Sequence, residues 1–184
     1  MSPPDSGSLS GDLAAYRAAY RSGLEAARHG LVDLFRALKK DLEARPRPVE
    51  AVAVEIHRDG PTGPFPISIF TSEAEGIWDP AGALVSQQLK ALPPILTDAQ
   101  FDTFVVWEEM DNPPGRVHAL DQPIDSLNLE CDEVLPLLRA TLEEAAEGSF
   151  PCKVIAGLHD AAEADAVIWP PARPRGLLAR LLRK

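Results

Sequence analysis

The sequence predicts an α+β domain: a mainly antiparallel sheet of five to six strands, with helices packed on one side and a long helix at the N-terminus. Three observations predict it. Apolar residues recur every three or four positions between Asp12 and Ala44, the spacing of one helical face. Two pairs of short runs, near 49–70 and 153–169, alternate between two faces and are punctuated by turn residues, the pattern of hairpins. Further helical stretches lie between those pairs, which suits helices layered on an antiparallel sheet.

The first helix places Leu13, Tyr16, Tyr20, Leu24, Ala27, Leu31, Leu34, Phe35, Leu38 and Leu42 on one side. Ser10 or Asp12 is suited to cap its start, and Arg45-Pro46 ends it, because proline lacks a donor and disfavours helical geometry before it. Gly23 and Gly30 weaken the middle by about 1 kcal/mol each relative to alanine, so a kink near Gly30 is the second reading. Val49–His57 is a strand with Val52, Val54 and Ile56 on one face. "RDGPTGP" turns the chain, and Phe65, Ile67 and Ile69 alternate on a returning strand, expected at a sheet edge because of Pro66.

"TSEAEGIWDP" is expected to leave the sheet, with Asp79-Pro80 opening a helix to about Ala91. Thr97 caps a short turn. Phe101–Met110 is a third strand and Arg116–Leu120 a short fourth. A helix from Glu130 or Asp132 to Glu147 buries Val134, Leu135, Leu138 and Leu142, and Gly148 caps it. Lys153–Leu158 and Ala166–Trp169 are strands lying side by side, stopped by Pro170-Pro171. Residues 1–10 read as a disordered lead-in rich in Pro, Ser and Gly, 11–172 as one domain, and 173–184 as a basic amphipathic tail.

The chain has 184 residues, 45% hydrophobic and 25% charged, which fits one soluble globular domain. No apolar run approaches the roughly 20 residues of a membrane helix. The opening segment has neither the basic region nor the apolar core of a secretory signal, so a cytoplasmic location is expected. Cys131 and Cys152 lack the paired short spacing of a zinc site and are expected as free, buried thiols. Net charge is −10, unevenly spread: residues 98–165 hold 16 acidic and 3 basic side chains, and residues 173–184 hold 5 basic and no acidic ones. So negative a central segment repels nucleic-acid phosphates and suits a basic partner.

Each chemical motif has a competing local explanation. His159 and Asp160 are adjacent at a strand end, where neighbouring side chains point to opposite faces, and no serine elbow or catalytic-cysteine signature accompanies them. The four histidines, His29, His57, His118 and His159, lack metal-motif spacing. His57 and His159 nevertheless both end strands and are placed to meet at one rim of the sheet. The carboxylate knots Glu108-Glu109-Met110-Asp111 and Glu130-Cys131-Asp132-Glu133 do not follow a calcium-loop pattern, and acids at a helix start also complement its dipole. Trp78 and Trp107 are expected in the core; an exposed one would serve as a binding anchor. The tail "RPRGLLARLLRK" is suited to a weak contact with an anionic membrane surface.

The stretches "FPISIFTSEAEGIWDP" and "VIAGLHDAAEADAVIWPP", set in this order of elements, resemble small bacterial domains among the immunity proteins of polymorphic toxin systems and their uncharacterised relatives. The resemblance spans about residues 24–172. It implies a non-enzymatic protein that binds and blocks a toxin domain. Charge argues the same way, since complementary charge speeds encounter to about 10^8–10^9 per molar per second at low salt. The expected contacts are Glu108, Glu109, Asp111, Glu130, Asp132 and Glu133, with no cofactor, no metal and no catalytic residue. The competing expectations are an adaptor held at the inner membrane surface by the basic tail and a small-molecule enzyme whose site is assembled from distant residues.

Overall fold

The computed structural model describes residues 6–57, 60–74, 77–106, 116–117, 129–159 and 166–170. It has the α+β architecture the sequence predicts. One helix, α1 (Ser6–Ala44), runs for 39 residues, about 58 Å at 1.5 Å per residue. From Tyr16 to Leu42 every expected apolar position is buried, joined by Val32. The helix starts earlier than the apolar pattern, so Ser10 and Asp12 lie within it, and it passes Gly30 without a break.

Both glycines have a packing reason that propensity does not reveal. A Cβ built on Gly23 would fall on the carbonyl oxygen of Ile95, and one on Gly30 would lie 2.6 Å from Leu92 Cδ2. The segment after α2 (Ala83–Lys90) therefore lies against the backbone of α1.

The main sheet has five strands: β1 (Ala51–Ile56), β2 (Ile67–Ala74), β3 (Ile77–Pro80), β6 (Lys153–Leu158) and β7 (Ala166–Trp169), in the order β3-β2-β1-β6-β7. The pairings β1–β2, β2–β3 and β6–β7 are antiparallel, whereas β1 and β6 at the centre run parallel, Val52 opposite Val154 and Ile56 opposite Leu158. One face buries Val52, Val54, Ile56, Ile67, Ile69, Val154, Ala156 and Ile168 beneath the helices. A π-helical turn, Glu130–Val134, leads into α4 (Leu135–Ala146), which packs along α1 and onto β7. Glu147 takes a left-handed conformation at its end with φ 49°, followed by Gly148 at φ 91°, the glycine position expected past a helix. Lys39 Nζ donates to the Ala146 carbonyl at 3.0 Å, joining the two helices there.

Three expectations are corrected. β2 is not an edge strand: Pro66 precedes it, and β3 covers its outer side. "TSEAEGIWDP" does not leave the sheet but folds back as β3, with Asp79 opposite Thr71 and Pro80 opposite Phe70. Helix α2 starts instead after Gly82, which gives no side-chain cap. Phe101 belongs to the short helix α3 (Asp98–Phe101), whose capping box joins Thr97 and Gln100; that local signal outweighs the apolar run that suggested a strand. The expected third strand shrinks to the two-residue β4 (Val105–Val106), paired with β5 (Arg116–Val117) in a separate small sheet. The lead-in's first five residues, 107–110 and 118–120 of the expected strands, Trp107, the loop after His159 and the tail lie outside the described residues. No helix among the described residues is long and apolar enough to cross a membrane.

Candidate functional site

The two parallel strands at the sheet centre end together, and each hands on a histidine. His57 follows β1 and His159 follows β6, and the His159 N–H donates to the Ile56 carbonyl at 2.8 Å. Their rings meet with centroids 4.8 Å apart, tilted by 51°. His159 Nδ1 lies 2.9 Å from Glu55 Oε2, and His57 Nε2 lies 2.8 Å from Ser68 Oγ. Alternation along the strands puts all four side chains on the sheet face turned away from the helices. Glu55 is opposite both Ser68 and Gly157 in register.

This cluster answers the question that His159-Asp160 raises. His159 finds a partner through the fold, as Glu55, while Asp160 lies outside the described residues. A serine and a histidine within hydrogen-bond reach satisfy the first requirement of nucleophilic catalysis. The second is a group orienting that same imidazole. Here the carboxylate holds His159 and the hydroxyl holds His57, so the two halves of a triad sit on different rings. These contacts join the ends of β1, β2 and β6. Among the described residues no group of three or more His, Cys, Asp and Glu side chains is placed to hold a metal ion. His29 is exposed on α1, 3.4 Å from Asp33, and His118 lies outside the described residues.

A second site lies at the opposite end of the sheet, on its outer strand. Every residue of β3 is exposed, with Ile77 at 63% and Trp78 at 41%. Trp78 is therefore not in the core as expected: it stands exposed on the edge strand of the sheet. Beside it is an open recess of about 430 Å³ lined by Arg47, Pro48, Glu50, Glu73, Ile77 and Asp79. Asp79 is opposite buried Thr71, so it shares the helix-side face, past the point where α1 stops. Arg45 anchors that helix end, pairing with Asp41 at 2.9 Å and donating to Thr71 Oγ1 at 3.2 Å. The recess thus sets three carboxylates against one guanidinium.

Of the six carboxylates expected from the sequence, Glu108, Glu109, Asp111 and the side chain of Glu130 lie outside the described residues. Asp132 is exposed. Glu133 is already occupied: Arg21 grips it with Nε at 2.8 Å and Nη2 at 2.6 Å, and that bond and charge raise the Arg21 guanidinium further above its usual value. Arg28 similarly approaches Glu144 at 3.3 Å and Arg36 approaches Glu147 at 3.9 Å. The basic face of α1 therefore meets part of the acidic segment internally. Glu50, Glu73 and Asp79 escape a reading of the sequence because they are scattered along the chain; strand register brings them together.

Family models, curated proteins and solved structures all give no match to this chain.

Cys152 is half-buried, and burial pushes its thiol up to about 11, against a smaller opposing effect of Arg45. A rise of that size from the ordinary value leaves roughly a hundredfold less thiolate, the reactive form. In a Cys131→Ser protein, iodoacetamide at about pH 8 should label native Cys152 on the order of a hundredfold more slowly than the urea-unfolded chain. Equal rates in the two states would show that the site is open.

Proposed function

We propose that this chain is a non-enzymatic binding protein that takes a basic protein partner on an acidic surface, in the manner of immunity proteins that block toxin domains. The observation that carries the reading is the recess beside β3, where Glu50, Glu73 and Asp79 converge next to exposed Ile77 and Trp78. An exposed aromatic with an acidic surround is the composition of a binding hot spot for a basic surface. The division of Glu55 and Ser68 between two imidazoles favours binding over catalysis.

The test uses protamine as a basic polypeptide probe. Binding should weaken at least tenfold between about 50 and 200 mM salt, as screening of exposed charges requires. The triple variant Glu50→Gln, Glu73→Gln, Asp79→Asn should bind at least tenfold more weakly than the parent at the lower salt. Unchanged affinity in that variant would refute the assignment of this surface.

A further inference from the structure

We infer that the partner supplies a β-strand that adds to the free edge of β3, with basic side chains over the recess and an apolar side chain beside Trp78. This inference rests on the acidic-surface reading above and specifies how the partner is held.

The edge is chemically ready for it. β3 stands at one end of the strand order and is exposed along its whole length. The Ala81 N–H donates to the Ile69 carbonyl at 2.8 Å, which fixes the parity of the strand. Alternate residues face alternate sides, so Asp79 turns its backbone toward β2, and Trp78 and Pro80 turn theirs outward. Trp78 offers both an N–H and a C=O to an incoming strand. Pro80 offers only a C=O, and so bounds the pairing on one side. Natural edges are usually defended with charge, proline or brevity. β3 keeps the brevity and the proline, yet shows Ile77 and Trp78 to solvent.

Side-chain direction then sets the pattern. Ile77 and Asp79 point to the helix side, where Glu50 and Glu73 complete the recess. Trp78 and Pro80 point to the other side, next to half-buried Phe70, which is opposite Pro80. A strand laid along this edge has side chains two positions apart over the carboxylates and the intervening one beside the indole. Basic, apolar, basic is the sequence that satisfies both faces.

Two other occupants fit less well. A second copy paired along β3 would bring a second Asp79 to the same edge, and like charges on paired strands are destabilising. The segment 173–184 of this chain is basic, but Leu177, Leu178, Leu181 and Leu182 follow a helical period, which as a strand scatters them over both faces.

The test titrates the full chain with two labelled peptides of one composition, TRVRVRT and TRRRVVT, and reads fluorescence anisotropy. The alternating peptide should bind at least tenfold more tightly. Trp78→Pro and Trp78→Ala both remove the indole, but only proline also deletes the outward N–H; the alternating peptide should bind the Trp78→Pro chain at least tenfold more weakly than the Trp78→Ala chain, while protamine binding persists. Equal binding of the two peptides, or equal affinities of the two variants for the alternating peptide with circular dichroism unchanged, overturns strand addition and leaves the acidic surface standing. Failure of both peptides and of protamine to bind overturns both readings. A dimer in sedimentation that Trp78→Pro dissociates assigns the edge to a second copy and also overturns the inference.

Discussion

Gly23→Ala is expected to destabilise the chain by about 3 kcal/mol or more, the upper end of overpacking costs. For a chain of this length that corresponds to a fall of roughly 6–12 °C in Tm. The added Cβ would collide with the carbonyl oxygen of Ile95, which is main chain and cannot rotate away. Nor is that main chain free to retreat. Ile95 and Leu96 are buried, the Leu96 N–H donates to the Pro61 carbonyl at 2.9 Å, and Thr97 is tied into its capping box one residue later. Gly30→Ala is the control. Its new methyl meets only the Cδ2 end of Leu92, which a rotamer change relieves, and alanine returns about 1 kcal/mol of helix propensity. Thermal unfolding followed by circular dichroism should separate the two sharply. Equal midpoints would mean that residues 92–95 do not rest on α1.

Phe35→Ala should cost about 3–5 kcal/mol, the usual range for deleting a fully buried phenylalanine. The ring is completely enclosed in the single core cluster that α1 shares with the sheet and α4. Its neighbours on the stripe, Leu31, Leu34 and Leu38, are equally enclosed, so collapse into the vacated space is resisted on every side. Leu84→Ala on the exposed side of α2 gives the baseline, within about 0.5 kcal/mol of the parent. Urea titration reports both as shifts of the midpoint. A Phe35→Ala protein as stable as the Leu84→Ala protein would contradict the seating of α1 in the core.

The long helix is legible in the sequence because one physical quantity, burial of a stripe, repeats along it: Tyr16, Tyr20, Leu24, Leu31 and Leu38 follow the rule without exception. The strand pairs β1–β2 and β6–β7 are legible for a similar reason, since period-two alternation marks the buried face. Alternation does not say which strand is the neighbour, so the parallel contact of β1 with β6 stays hidden. β3 is masked because Asp79-Pro80 carries a strong local helix signal, whereas the decisive fact is tertiary: Pro80 turns its missing donor outward, where a sheet edge tolerates it. The meeting of His57 and His159 can be anticipated once both are placed at strand ends. Their division of Glu55 and Ser68 cannot, because it depends on register. The same holds for Glu50, Glu73 and Asp79, which no run of charge in the chain announces.

The parallel seam has a consequence for synthesis. Ala51 and Lys153 are neighbours in the sheet but stand about a hundred residues apart in the chain. During translation the β1–β2–β3 meander leaves the ribosome long before its central companion exists, with one flank of β1 bare and Val52 and Val54 without the wall that Val154 and Ala156 later provide. Non-local closure of this kind is slow and leaves sticky intermediates. The nascent protein therefore passes through an interval of vulnerability to aggregation and proteolysis that ends only when Lys153–Leu158 arrives and zips into place.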